Sequence, residues 1–142
     1  MDREWDGAGS AVPKLSDSAA LAVLRIATGL LVFPHGVRKL LTGPVAAIGK
    51  SMVAHGFPAW FAYPVTAGEL CGALLALGIY VRYSAAAVAL TLWGIVFVVQ
   101  APLLAEWGTG RGVPLEYPVL LALTATLFVL APPTRWALGR GR

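Results

Sequence analysis

Charge is scarce in this chain. Only 13% of its 142 residues are charged and 58% are hydrophobic, against about 25% and about 45–50% in an ordinary soluble domain. A soluble protein of this size has too little interior to hide so much apolar surface, so lipid is the expected solvent. Cysteine occurs once, at Cys71. That excludes an intrachain disulfide and a CxxC pair for thiol exchange or metal binding. Lying in an apolar run, Cys71 reads as a packed thiol. Histidine occurs twice, at His35 and His55, too few and too badly placed for a haem pair or a metal cluster, and no metal is expected. HExxH, GxSxG, P-loop and GxGxxG patterns are absent. Net charge is +4 with a pI of about 9.6, but the basic residues are spread thinly. No Lys/Arg block of the kind that tracks a phosphate backbone is present, which argues against nucleic acid as a partner. The basic excess suits anionic lipid headgroups.

What the chain has in abundance is long apolar runs. A helix needs about 20 apolar residues to cross a hydrocarbon core of about 30 Å. Four runs qualify, at about 19–41, 62–81, 84–104 and 115–131. Backbone groups in lipid must be satisfied internally, so these runs should be helices. They lack the strict alternation of a membrane barrel. Asp17 or Ser18 is placed to cap the first run, and Pro132-Pro133 should stop the fourth. The polar residues 1–17 read as a loose tail, 18–139 as the membrane domain and 140–142 as a basic end. The tail lacks the basic n-region and short apolar core of a cleavable signal, and the first run is too long for one.

Between the first two runs, "TGPVAAIGKSMVAHG" has Pro44 suited to a first helical turn and Gly56 to a C-terminal cap. Val45, Ile48, Met52 and Val53 fall near one face, which predicts a short amphipathic helix in the interface or folded back on the bundle. Trp60, Phe61 and Tyr63 follow as an interfacial aromatic belt. The expected architecture is an all-α membrane protein, a four-helix transmembrane bundle with an interfacial helix between helices one and two. Six Lys/Arg residues fall on the side of the termini (Arg3, Lys14, Arg82, Arg135, Arg140, Arg142) and four on the other (Arg38, Lys39, Lys50, Arg111). That balance predicts both termini in the cytoplasm.

A charged group at mid-bilayer costs a few kcal/mol or more, so such groups face the bundle interior and pair. Arg25, His35, Lys39, Glu69 and Glu116 are the candidates. At 1.5 Å of rise per residue, His35 lies about 9 Å and Glu69 about 8–9 Å in from the same side. Lys39 stands one turn above His35 on a shared face. Arg25 is about 15 Å deeper than His35. Gly68 and Gly72 form a small-residue strip beside Glu69, and Gly29 and Gly36 do so on the first helix, permitting close helix approach. Helices one and two should therefore touch, with Glu69 facing His35 and Lys39. Pro34 frees the carbonyl of Leu30, and the resulting bend should open a cavity with His35 and Lys39 on its wall. Bland readings compete at several positions. Arg25 could snorkel to headgroups, Glu116 could meet a helix dipole, and Trp93 and Phe97 could pack in the bundle or flank a flat ring.

Three stretches carry a resemblance: "LRIATGLLVFPHGVRKL", "GFPAWFAYPVTAGELCGALLALGIYVRYSA" and "EYPVLLALTATLFVLAPPTRWALG". In order and spacing they resemble the DoxX-like family of small bacterial membrane proteins, from about residue 24 to 139. The family usually ends in a Gly-rich turn and an "SLD"-like sequence. Here the turn is Pro132-Pro133, and Gly139 stands where the acid is expected. The resemblance implies a four-helix transmembrane fold and a link to redox, since relatives are associated with thiosulfate:quinone oxidoreductase subunits, quinone-related detoxification and oxidative-stress complexes. By position, the family's polar residues fall on Arg25, His35, Gly36, Lys39, Glu69, Gly72, Arg82 and Glu116.

The expected function is a redox-associated accessory or quinone-binding membrane subunit, with the ring near His35, Lys39 and Glu69 and with Arg25 and Glu116 as further ligand-binding candidates. No intrinsic cofactor is expected, so electrons would come from an oxidoreductase partner. A homo-oligomer is a further expected partner. The alternatives are a non-enzymatic assembly or scaffold subunit and a small-solute or proton pathway lined by Arg25, His35 and Glu69.

Overall fold

A computed structural model describes residues 17–43, 45–100, 115–130 and 135–139. The tail 1–16, Pro44, the end of the third apolar run, the Pro132-Pro133 stop and the basic end 140–142 lie outside them. Among the described residues the chain is helical throughout. Helix α1 spans Asp17–Thr42, α2 Val45–Ala54, α3 Ala62–Leu77, α4 Val81–Gly94 and α5 Glu116–Leu130. A 3-10 turn, Ala59–Phe61, leads into α3, and α4 continues as a π-helical segment, Ile95–Gln100. Three of these stretches are long and apolar enough to cross a membrane: Ala19–Thr42, Ala59–Leu77 and Val81–Gln100. With 15 residues, α5 rises only about 22 Å.

The boundaries have local causes. Pro64 sits in the first turn of α3, where no intrahelical donor is needed. Gly78 ends α3 in the left-handed region (φ 73°), and the N–H of Ile79 bonds the carbonyl of Leu74 at 2.9 Å. The second expected run therefore stops four residues early, and α4 begins three residues before the third. Gly56 (φ 81°) closes α2 as the sequence predicts. Pro34 leaves α1 unbroken from end to end.

Small residues are inside and large ones outside. The interior of α3, α4 and α5 is built from Ala85, Val88, Ala89, Ala122 and Ala125 around Leu75, Leu92, Leu121 and Phe128. Leu30, Leu90, Leu120, Leu130 and Phe97 point outward, each more than half exposed. A water-soluble bundle reverses that order. In lipid, helix contact gains from close backbone approach rather than from burying leucine. The hydroxyls of Thr28, Thr66 and Thr126 each bond the carbonyl one turn back, at 2.8 Å, so no such donor is left bare among acyl chains.

The tightest contact joins α1 to α3. A Cβ on Gly29 would overlap the Gly72 carbonyl and lie 2.6 Å from the nitrogen of Ala76; one on Gly72 would lie 2.8 Å from the carbonyl of Gly29. Gly36 lies against Glu69 and Leu70 on the same seam. Gly68 serves a different neighbour, since its missing side chain makes room for Thr91 of α4. All four glycines thus pack helices, on two faces of α3 rather than one.

Candidate functional site

The α1 residues that meet α3 recur as Arg25, Gly29, Val32, Gly36 and Lys39, with a spacing of three to four. This helical stripe brings Lys39 to Glu69. The Lys39 Nζ donates to Oε1 of Glu69 at 2.5 Å, with side-chain exposures of 20% and 5%. Glu69 Oε2 is buried with no hydrogen-bond partner among the described residues. The pair takes two formal charges out of solvent together, and loss of either partner would leave the other uncompensated.

His35 does not join them. It is exposed, as is Pro34. Depth was the right criterion for Glu69, but rotation about the helix axis removes the histidine. Gly36 takes the contact position, and His35 is turned from it by about 100°. Lys39, with four methylenes, reaches back to the carboxylate; the short imidazole stem cannot. The expected triad is therefore a pair.

Two cavities flank α2, and neither opens at Pro34. One, of about 740 Å³, lies between α2, α3 and α4. Its wall is largely apolar, with Met52, Phe57, Phe61 and Val98 among the lining, and Lys39, Ser51, Cys71 and Thr91 as its chemically distinct members. The π-helical segment forms part of this wall, and Gly94 at its start has open space where a side chain would go. π-Helical turns widen a helix locally and recur at functional sites. The second cavity, of about 990 Å³, lies on the other side of α2 against α1 and α3, with Lys50, Trp60 and Tyr63 on its rim. Arg25, His35 and Glu69 line neither cavity.

Arg25 occupies the opposite end of the seam and is fully buried, which rules out snorkelling. Its Nη1 donates to the carbonyls of Leu75 at 2.7 Å and Ala76 at 3.0 Å, and its Nη2 to that of Trp136 at 3.2 Å. The negative end of the α3 dipole thus offsets the guanidinium charge. The same bonds tie down the C-terminal segment: the N–H of Leu138 bonds the Leu77 carbonyl and that of Gly139 the Gly78 carbonyl, at 3.2 and 3.1 Å. Trp136 is held in the left-handed region (φ 57°), a conformation a non-glycine residue keeps only where its surroundings enforce it. Gly139 therefore contributes a backbone donor to this docking.

The other candidates fall outside this arrangement. Glu116 opens α5 and is exposed. His55 bonds the carbonyl of Ser51 one turn back at 2.7 Å. Trp93 donates to Thr126 at 3.1 Å and stacks on Phe97 at 5.4 Å, away from both cavities, so Trp93 joins α4 to α5 while Phe97 covers it from outside. Cys71 is half-buried against the core and also faces the smaller cavity. Sequence reasoning missed the cavity's α4 wall and the docking of residues 136–139. For the docking, a helix-ending Gly78 ten residues past Gly68, with a buried arginine at matching depth, was the available signal. No group of three or more His, Cys, Asp or Glu among the described residues could hold a metal ion.

No curated protein and no solved structure matches the chain. The DoxX family model matches residues 20–101. That is more than half of the chain and runs from the first turn of α1 past the π-helical segment, so it includes the Gly29–Gly72 seam, the Lys39–Glu69 pair and the described walls of both cavities. On this match, and with three helices long and apolar enough to cross a bilayer, the chain belongs to the DoxX family and is a multi-pass membrane protein.

Proposed function

We propose that the chain binds a quinone, or a similar flat apolar ring drawn from the bilayer, in the cavity between α2, α3 and α4, and serves a membrane redox complex as an accessory subunit. One observation carries this reading: a cavity of about 740 Å³ with apolar walls has a single ammonium group on its lining, and that group is fixed by a buried carboxylate. The volume lies within the about 300–1,000 Å³ of small-molecule sites, where a few placed polar groups orient an otherwise apolar ligand. Lys39 carries three N–H donors and Glu69 engages one. Another is free to meet a ring carbonyl. Glu69 holds the Lys39 amine in place, and the apolar wall excludes water from the contact. When bound, a quinone supplies two-electron, two-proton redox chemistry; the electrons come from a partner subunit.

Two rival readings fare worse on geometry. The small-residue strips that a scaffold would use for docking are filled by the chain's own helices. A solute path along Arg25, His35 and Glu69 has none of the three on a cavity wall. In the reading proposed here α5 is the fourth span. The helix α2 lies in the interface, and both termini face the cytoplasm of a bacterial inner membrane.

The test is equilibrium binding of a short-chain ubiquinone analogue to detergent-solubilised protein. Gly94→Leu, which fills the cavity without meeting any neighbour, should weaken binding at least tenfold, and Lys39→Gln should weaken it to a similar degree. His35→Ala should bind like wild type. Equal affinity in all four proteins would refute the site.

A further inference from the structure

We infer that the larger cavity, on the α1 side of α2, is a site for one acyl chain of an anionic phospholipid, with the phosphate held by Lys50. This rests on a cavity separate from the proposed quinone site; Ala67 of α3 is the one lining residue they share.

The walls are chain-like in chemistry. Leu40, Val45, Val53 and Leu70 present aliphatic surface from three helices, with Ala46, Gly49 and Ala59 keeping the floor open. Gly49 is buried, and a Cβ there would lie 3.1 Å from the carbonyl of Ala59, so α2 packs close against the 3-10 turn. A cavity of about 990 Å³ is far larger than one aromatic ring needs, and open enough along its length for a flexible chain. Trp60 and Tyr63 stand at its rim, 60% and 70% exposed. Such rings rest at the level of headgroups, with the apolar body in the acyl region and the polar tip in water.

Charge complementarity selects the headgroup. This end of the bundle carries Arg38, Lys39, Lys50 and His55 on the described elements, with Glu69 and, at the start of α5, Glu116 as the acids there. Lys39 is committed to Glu69. Lys50 lines the cavity, is exposed, and has its aliphatic stem free to lie along the apolar wall with the ammonium at the mouth. A zwitterionic headgroup brings a cation of its own to that mouth, whereas an anionic one brings net negative charge. Arg38 is exposed on the same end and lies off the lining, so it separates a built site from general attraction of the surface.

Native mass spectrometry of the full chain, released from mixed micelles of phosphatidylglycerol and phosphatidylcholine, tests this. Wild type should retain one phosphatidylglycerol in preference to phosphatidylcholine. Lys50→Gln should reduce that preference about fivefold, the effect of one basic residue at an anionic surface. Ala46→Trp, placed on an exposed position of the lining, should remove the bound lipid of either kind. Arg38→Gln should keep the wild-type preference. Equal retention of the two lipids by wild type, or an equal loss on Arg38→Gln and Lys50→Gln, overturns the inference. Quinone binding should persist in Ala46→Trp, so the two sites fail or stand independently.

Discussion

Replacement of Arg25 by methionine should release the C-terminal segment. Methionine keeps an unbranched apolar stem in the α1–α3 seam and removes only the guanidinium. Three bonds vanish. The Leu75 carbonyl still accepts from the Gly78 N–H at 3.1 Å, so it is not orphaned. The carbonyls of Ala76 and Trp136 lose the donors that stood at 3.0 and 3.2 Å. Each buried acceptor left unmade costs about 1–3 kcal/mol. Against that, the variant no longer buries a charge whose Nε has no partner. Of the three bonds only that to Trp136 distinguishes the docked from the released segment; a hydrogen bond to a charged group is worth about 1.5–3 kcal/mol, or about 10- to 150-fold in the opening of residues 136–139 at about 1.4 kcal/mol per tenfold. Trypsin reports on it directly. Arg135 is exposed beside Trp136, and cleavage there requires the segment to leave the α3 end. The initial cleavage rate in detergent should rise more than tenfold in Arg25→Met. Arg25→Lys, which retains charge but not the forked donors, should fall between the two. Cleavage within twofold of wild type in both variants would refute the claim that Arg25 clamps this segment.

Three further outcomes are expected. In a double-mutant cycle on chemical unfolding in detergent, Lys39→Met and Glu69→Met should each destabilise by about 3–5 kcal/mol, and the double variant by far less than their sum, because it leaves no unpaired charge; additive losses would refute the pair. Gly29→Leu should prevent the close approach of α1 and α3 and lower yield and thermal stability sharply. Gly94→Ala, which meets open space, should leave thermal stability within experimental error, and a loss as large as that of Gly29→Leu would contradict the packing described.

Depth along a helix was legible in the sequence; azimuth was not. Rise per residue put His35 level with Glu69, set Lys39 one turn above, and kept Arg25 away from Glu69; the pair forms with Lys39 instead, and Arg25 does stay apart. The same arithmetic could not tell that Gly36, rather than His35, occupies the contact line, because i and i+4 positions share a face only to within about 40° and side-chain length decides the rest. Glycine spacing identified the α1–α3 seam, but nothing in it assigned Gly68 to α4. The end of α3 at Gly78 was hidden inside an apolar run, since lipid-facing composition continues through the turn. Pro34 proved a poor guide: a helix in lipid tolerates proline without breaking, and α1 continues past it. The π-helical segment has no compositional mark, as "IVFVVQ" is ordinary span sequence. Arg25 was singled out by its charge, yet its partners are backbone carbonyls, which every residue carries and which no sequence pattern distinguishes.

The claim on which the functional account rests is that the cavity beside Lys39 takes a quinone ring. Photolabelling with an azido-quinone followed by peptide mapping tests it most directly. The account predicts covalent label within residues 57–71 and 87–99, suppressed by excess unlabelled quinone and reduced in Gly94→Leu. Label confined to the outward faces around His35 or on α5, or label that excess quinone does not suppress, would contradict it.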